Sequence, residues 1–169
     1  LLISCADDNS NTQPKVSYPD ASIAAMADMR FLAPDLITEG EPLRLYLGPH
    51  YRMLAQSAPI AQAGLQKAAT SKAGHILIAG NLTANGSRVS HRQVAAMLQD
   101  AVEAGKQVFV APGPRDINSP EAVRFNASGY EAVEAISAED FASLYGDFGY
   151  KQALAKDPAS LSYVATIKK

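Results

Sequence analysis

The sequence predicts an α/β fold built on parallel strands, on three observations. Two short apolar runs, HILIA at residues 75–79 and QVFVA at residues 107–111, end at Gly80 and at Pro112-Gly113. Runs of this length, rich in β-branched residues and stopped by Gly or Pro, suit fully buried strands. Between them Val94, Met97, Leu98, Ala101 and Val102 recur at i, i+3, i+4, i+7 and i+8, which is one face of a helix. Two buried strands joined by a helix pair in parallel through a right-handed crossover. In such units the loops leaving the carboxyl ends of the strands hold the ligand. Those loops are residues 81–88 and 113–119, and function is expected there.

Each element follows in order. Residues 22–27, SIAAMA, favour helix by propensity, but the run is short, apolar and closed by Asp28, so it reads as the first strand. Residues 31–50 carry Pro34, Gly40, Pro42, Gly48 and Pro49 and read as a long irregular connection. A helix follows Ser57, with Pro59 in its first turn, Lys67 and Lys72 near its far end and Gly74 as its stop. Ser90 with Gln93 opens the next helix as a capping box, and Gly105 closes it. Residues 119–135 read mostly as loop and contain the weak glycosylation pattern Asn126-Ala127-Ser128. Ser137, with Glu139 and Asp140, starts a short helix carrying Phe141, Leu144 and Tyr145. Phe148 and Tyr150 then read as core aromatics, and residues 152–156 as a further helical turn. Residues 160–167 alternate and read as a last strand with no partner after it, as in a domain cut short.

Composition sets the limits. The 169 residues suffice for one domain, and 47% hydrophobic with 19% charged residues mark a globular chain. A net charge of -2 without a basic cluster argues against a nucleic-acid partner. No apolar run is long enough to span a bilayer. The single cysteine excludes an internal disulfide framework. Its setting, Leu1-Leu2-Ile3-Ser4-Cys5, resembles a bacterial lipobox, in which the thiol carries lipid. Residues 1–5 would then end a lipoprotein signal peptide, 6–20 form a polar tether, and 21–169 form the domain. The protein would sit in the bacterial cell envelope, held to the membrane by its lipid anchor alone.

The ordered set of short motifs resembles one family. Gly80, Leu82-Thr83, Asn85-Gly86 and Ser90-His91 match in the first loop, and Pro112-Gly113 and Asp116-Ile117-Asn118 in the second. Phe141, Tyr145, Phe148-Gly149-Tyr150, Asp157 and Ser160-Leu161-Ser162-Tyr163 follow at similar spacing. The chain is similar in these to the calcineurin-like metallophosphoesterases, in their bacterial secreted and lipoprotein branch. The resemblance implies an α/β/β/α four-layer sandwich, of which this chain is the N-terminal portion. It also implies two divalent metal ions (Mn, Fe, Zn or Mg) and hydrolysis of phosphate esters through a metal-bound hydroxide.

The departures fall on the metal motifs. Asp-x-His reads Asp28-Met29-Arg30, Gly-Asp reads Gly80-Asn81, and Gly-Asn-His-Asp reads Gly113-Pro114-Arg115-Asp116. By resemblance Asp28 and Asn81 would be the metal positions, and Arg115 and Asp116 the catalytic ones. Arginine offers no lone pair, so Arg30 cannot replace a histidine ligand. Asn81 lacks the charge with which a carboxylate bridges two dications. Pro114 has no side-chain oxygen, and Arg115 cannot readily serve as a general acid because its pKa exceeds about 12. No cofactor is therefore expected in this form. Arg30 and Arg115 are expected to hold either Asp28 and Asp116 or a phosphate-like anion, such as a small phosphorylated molecule. The preferred reading is a binding or scaffold domain. The alternative is a metal-dependent phosphoesterase completed by a C-terminal half, and a third is an incomplete sheet prone to aggregate through its open edge. His50, His75 and His91 form no ligand pair by spacing, and His91 is read as a surface histidine without a direct role.

Overall fold

The computed structural model describes residues 20–48 and 53–167; Cys5, nearly all of the expected tether and His50 lie outside them. Strands β1 (Ile23–Ala27), β2 (His75–Gly80) and β3 (Gln107–Pro112) form one parallel sheet in the order β1-β2-β3. The α/β expectation holds at this level. The helix-prone run at 22–27 is a strand because it pairs along its whole length with β2.

The register places side chains in rows. Ile23, His75 and Gln107 share one row, Ala25, Leu77 and Phe109 the next, and Ala27, Ala79 and Ala111 the last. All nine fall on one face, because neighbours along a strand point to opposite sides. The other face carries Ile76, Ile78, Val108 and Val110, all buried in the main core. Helices α2 (Ser57–Thr70) and α3 (Arg88–Glu103) contribute Ala61, Leu65, Ala68, Val94, Leu98 and Ala101 to that same core. Both apolar runs were expected to be buried on two sides. They are buried on one: Leu77 is 40% exposed, Phe109 is half-buried and Ala111 is exposed, and Ile23 of β1 beside them is 47% exposed. With Leu161, Tyr163 and Ile167 this second face lines an open groove of about 610 Å³.

Several elements differ from the reading by sequence. Of the stretch expected to be irregular, residues 31–48 hold a 3-10 turn (Pro34–Leu36) and helix α1 (Glu41–Leu47). Pro42 lies in the first turn of α1, where its missing amide proton costs little. Leu43 of this helix is buried, and Tyr46 packs on Phe125 with centroids 5.0 Å apart. Helix α3 is capped three residues before the expected position. Ser87 is the N-cap and accepts from the Ser90 amide, while the Ser90 hydroxyl accepts from the Ala33 amide at 3.0 Å. Helix α2 ends at Thr70, short of Gly74.

The stretch 119–135 contains a hairpin of β4 (Val123–Phe125) and β5 (Tyr130–Ala132). Helix α4 (Ala138–Leu144) starts on a full capping box between Ser137 and Asp140, as the sequence indicates. Residues 152–156 are not helical. Ala153–Lys156 forms β6, which pairs antiparallel with β7 (Tyr163–Ala165), so the last strand pairs with the segment before it. Ala, Leu and Lys favour helix, but strand pairing overrides a preference worth only a few tenths of a kcal/mol per residue. Tyr163 seats this hairpin on the sheet by donating to the Val110 carbonyl at 2.9 Å.

Candidate functional site

The loops after β1, β2 and β3 meet at the carboxyl ends of the strands. The chain leaving β1 continues beside the one leaving β2, with Asp28 N donating to Ala79 O, Arg30 N to Asn81 O and Phe31 N to Leu82 O at 3.0–3.1 Å. Asp28 and Arg30 both sit at φ 49°, in the left-handed region, as does Asn118 in the third loop. Asp and Asn visit that region readily, whereas an arginine there carries strain of order 1–3 kcal/mol.

Asn81 lies at the centre. Its Nδ2 donates to Asp28 Oδ1 at 2.7 Å, its amide N reaches the same oxygen at 3.2 Å, and its Oδ1 accepts from the Arg115 amide at 2.9 Å. Only this orientation of the carboxamide serves both partners, since a carboxylate only accepts and an amide N–H only donates. One side chain therefore joins the ends of all three strands. The Asn81 side-chain hydrogen bond, then its backbone bond, holds the Asp28 carboxyl below its ordinary pKa, with Arg30 adding a smaller pull. Gly113 permits the close approach, because a Cβ there would lie 2.5 Å from Asn81 N and 2.6 Å from its Oδ1.

The two arginines have different surroundings. Arg30 Nη2 stands 3.9 Å from Asp28 Oδ1, while its Nη1 is buried with no hydrogen-bond partner. Arg115 donates through Nη1 to Glu121 Oε2. Asp116, expected beside an arginine, is instead fully buried and occupied by the backbone. Its Oδ2 accepts from Leu82 N at 3.0 Å and Gly113 N at 2.8 Å, and its Oδ1 from Thr83 N and Thr83 Oγ1, both at 2.9 Å. Four donors without a countercharge are a common way to keep a buried carboxylate.

His91 is not on the surface; it is fully buried. Its Nε2 lies 2.9 Å from the Asp116 carbonyl, which can only accept, so Nε2 carries the proton and Nδ1 accepts from Tyr145 Oη at 2.8 Å. Burial pushes the His91 pKa down, against a weaker opposing pull from Asp116. Burial likewise pushes the Tyr145 hydroxyl well up. The signal for this position was present in the sequence. His91 precedes Val94, Leu98 and Ala101 at helical spacing, which puts it on the apolar face.

The loop between β2 and α3 is pinned throughout. Thr83 Oγ1 also accepts from Gly86 N at 3.0 Å, Asn85 Nδ2 donates to Val123 O at 3.0 Å, and Asn85 Oδ1 accepts from Ser87 N at 3.2 Å. Gly86 stands at φ 70°, where a Cβ would come within 2.4 Å of Arg115 O. Glycine is required there both by conformation and by space.

The structure thus brings together Asp28, Arg30, Asn81 and the backbone of Arg115, and turns the Arg115 side chain toward Glu121. Two dications do not fit this donor set. Asp28 Oδ1 and both ends of the Asn81 amide are already engaged, a guanidinium stands beside them, and Pro114 brings no donor. Among the described residues no group of three or more His, Cys, Asp or Glu is placed to hold a metal ion. Neither a family model nor a curated protein matches the chain.

Proposed function

We propose that this chain is a metallophosphoesterase-like domain, part of a four-layer sandwich, that serves in binding or scaffolding rather than in two-metal hydrolysis. The observation that carries the reading is the Asn81 carboxamide between Asp28 and the Arg115 amide, at 2.7 and 2.9 Å, in place of a pair of carboxylates. The parallel sheet with its loops at one end supports the family assignment in outline. The lipid-anchored position in a bacterial envelope, through Cys5, belongs to the same proposal.

The ligand we assign to the site is a phosphate-like anion held by Arg30. Its buried Nη1 lacks a partner, and such a group costs about 1–3 kcal/mol, which an incoming oxyanion offsets by accepting from it. Arg115 joins only by leaving Glu121, so its contribution is secondary. Titration calorimetry with phosphate, sulfate and a phosphomonoester tests this. Binding that Arg30→Ala abolishes and Arg115→Ala weakens by a smaller factor is expected. No heat with any of the three removes the anion from the reading. Phosphomonoester turnover with added manganese, lost in Asp28→Ala, overturns the non-hydrolytic reading.

A further inference from the structure

We infer that the Asn81 carboxamide closes this site to a divalent metal, because it joins by hydrogen bonds alone strand ends that two carboxylates could share only around a proton or a cation. The inference rests on the geometry of residues 28, 81 and 115 and needs neither the anion nor the family. Asp28 Oδ1 and Asn81 Nδ2 are 2.7 Å apart. At that separation an amide and a carboxylate attract, whereas two ionised carboxylates repel and must share a proton or a cation. The Asn81 oxygen faces the other way and takes the Arg115 amide, so the strand-three loop is held by the same group.

Surrounding features make the bridge the preferred state. Gly113 lets the third loop press against Asn81, and a Cβ there would meet Asn81 Oδ1 at 2.6 Å. Asn81 is 7% exposed, whereas the Asp28 side chain is 54% exposed, so water reaches the carboxylate but not readily the amide that bridges it to the third loop. Arg30, 3.9 Å from Asp28, supplies a fixed positive charge that further disfavours a dication at the Asp28 carboxylate. In Asn81→Asp two carboxylates face each other beside one guanidinium, and the balance turns toward a hard cation with oxygen ligands.

Thermal unfolding of the full chain, in EDTA and in manganese, tests this. The natural protein keeps one Tm in both. Asn81→Asp loses roughly 5–10 °C in EDTA and regains it in manganese, by roughly 3–5 °C per tenfold rise in free metal above half-saturation. Asn81→Ala, which removes the bridge and adds no charge, falls in Tm and ignores manganese. The exchanged pair Asp28→Asn with Asn81→Asp restores one carboxylate facing one amide; its Tm returns to near the natural value in EDTA, and manganese no longer raises it. Where Asn81→Asp does not fold in EDTA, refolding from urea in manganese is the readout, and recovery only with the metal supports the inference. Recovery in neither buffer overturns it, as does an Asn81→Asp Tm equal in both buffers. A natural-protein Tm that rises with manganese and loses that rise in Asp28→Ala overturns it as well. Absence of phosphate binding leaves every one of these outcomes unchanged.

Discussion

Asp116 shows how far a residue's type can be read without its role. Resemblance placed it among the catalytic positions, and charge alone suggested an arginine partner. The fold uses it as an acceptor for Leu82, Thr83 and Gly113, so it ties the second strand's loop to the third. Asp116→Ala leaves those amides buried and unpaired, and a loss of roughly 3–5 kcal/mol is expected from urea unfolding. His91 carries a pH dependence whose sign follows from its burial. The unfolded histidine takes a proton near pH 6.5, about its ordinary value. Folded His91 takes one only at lower pH. Below about pH 6.5 the unfolded state therefore binds more protons, and stability falls until the folded pKa is passed. The urea midpoint should drop between about pH 7.5 and 5.5, and His91→Gln should flatten that drop. Asp28 acts in the same sense, because its folded pKa is also lowered: its stabilisation is full above its unfolded value near 3.8 and is lost at still lower pH. That window is distinct from the histidine's. Apart from the Gly113 amide, three positions before Asp116, these partners were not legible in the letters, because each is a contact across 25 or more positions of chain.

At the scale of elements, periodicity was informative where one core face decided the structure. Helix α3 and strands β2 and β3 lie close to where apolar spacing put them. It failed where a contact distant in sequence competed with a local preference. Ala153–Lys156 is made of helix formers yet pairs with Tyr163–Ala165. Helix α1 lies in a stretch whose prolines and glycines suggested irregular chain, because Pro42 stands in the one helical turn that tolerates it. The cap of α3 moved from Ser90 to Ser87 because the Ser90 hydroxyl is needed by Ala33. Two serines three apart cannot be ranked as caps without knowing which of them has a partner elsewhere.

For the whole molecule, the sheet has two unlike sides. Helices α2 and α3 share a core with one, and the other presents Ile23, Leu77 and Phe109 beside small alanines to an open groove. Continuous apolar runs promised burial on both faces; the sequence could not say what would cover the second. Exposed apolar surface of this kind favours association. Sedimentation velocity should show the 169-residue chain associating as its concentration rises, and Leu77→Glu should shift it toward monomer. That substitution should leave the unfolding free energy from urea titration within about 0.5 kcal/mol of the natural one, since Leu77 is 40% exposed. Unchanged association in the variant would place the contact elsewhere.

The pinned loop between β2 and α3 also bears on the chemical lifetime of the chain. Asn85-Gly86 is the dipeptide most given to spontaneous deamidation, in which the glycine nitrogen attacks the asparagine side-chain carbonyl. Here that nitrogen is held by Thr83 Oγ1, and the side chain is fastened at both ends, to Val123 and to Ser87. The attack needs a rotation that these bonds oppose. The loop that orders the site thereby shelters its own most perishable bond, and damage at Asn85 becomes a record of time the molecule has spent unfolded.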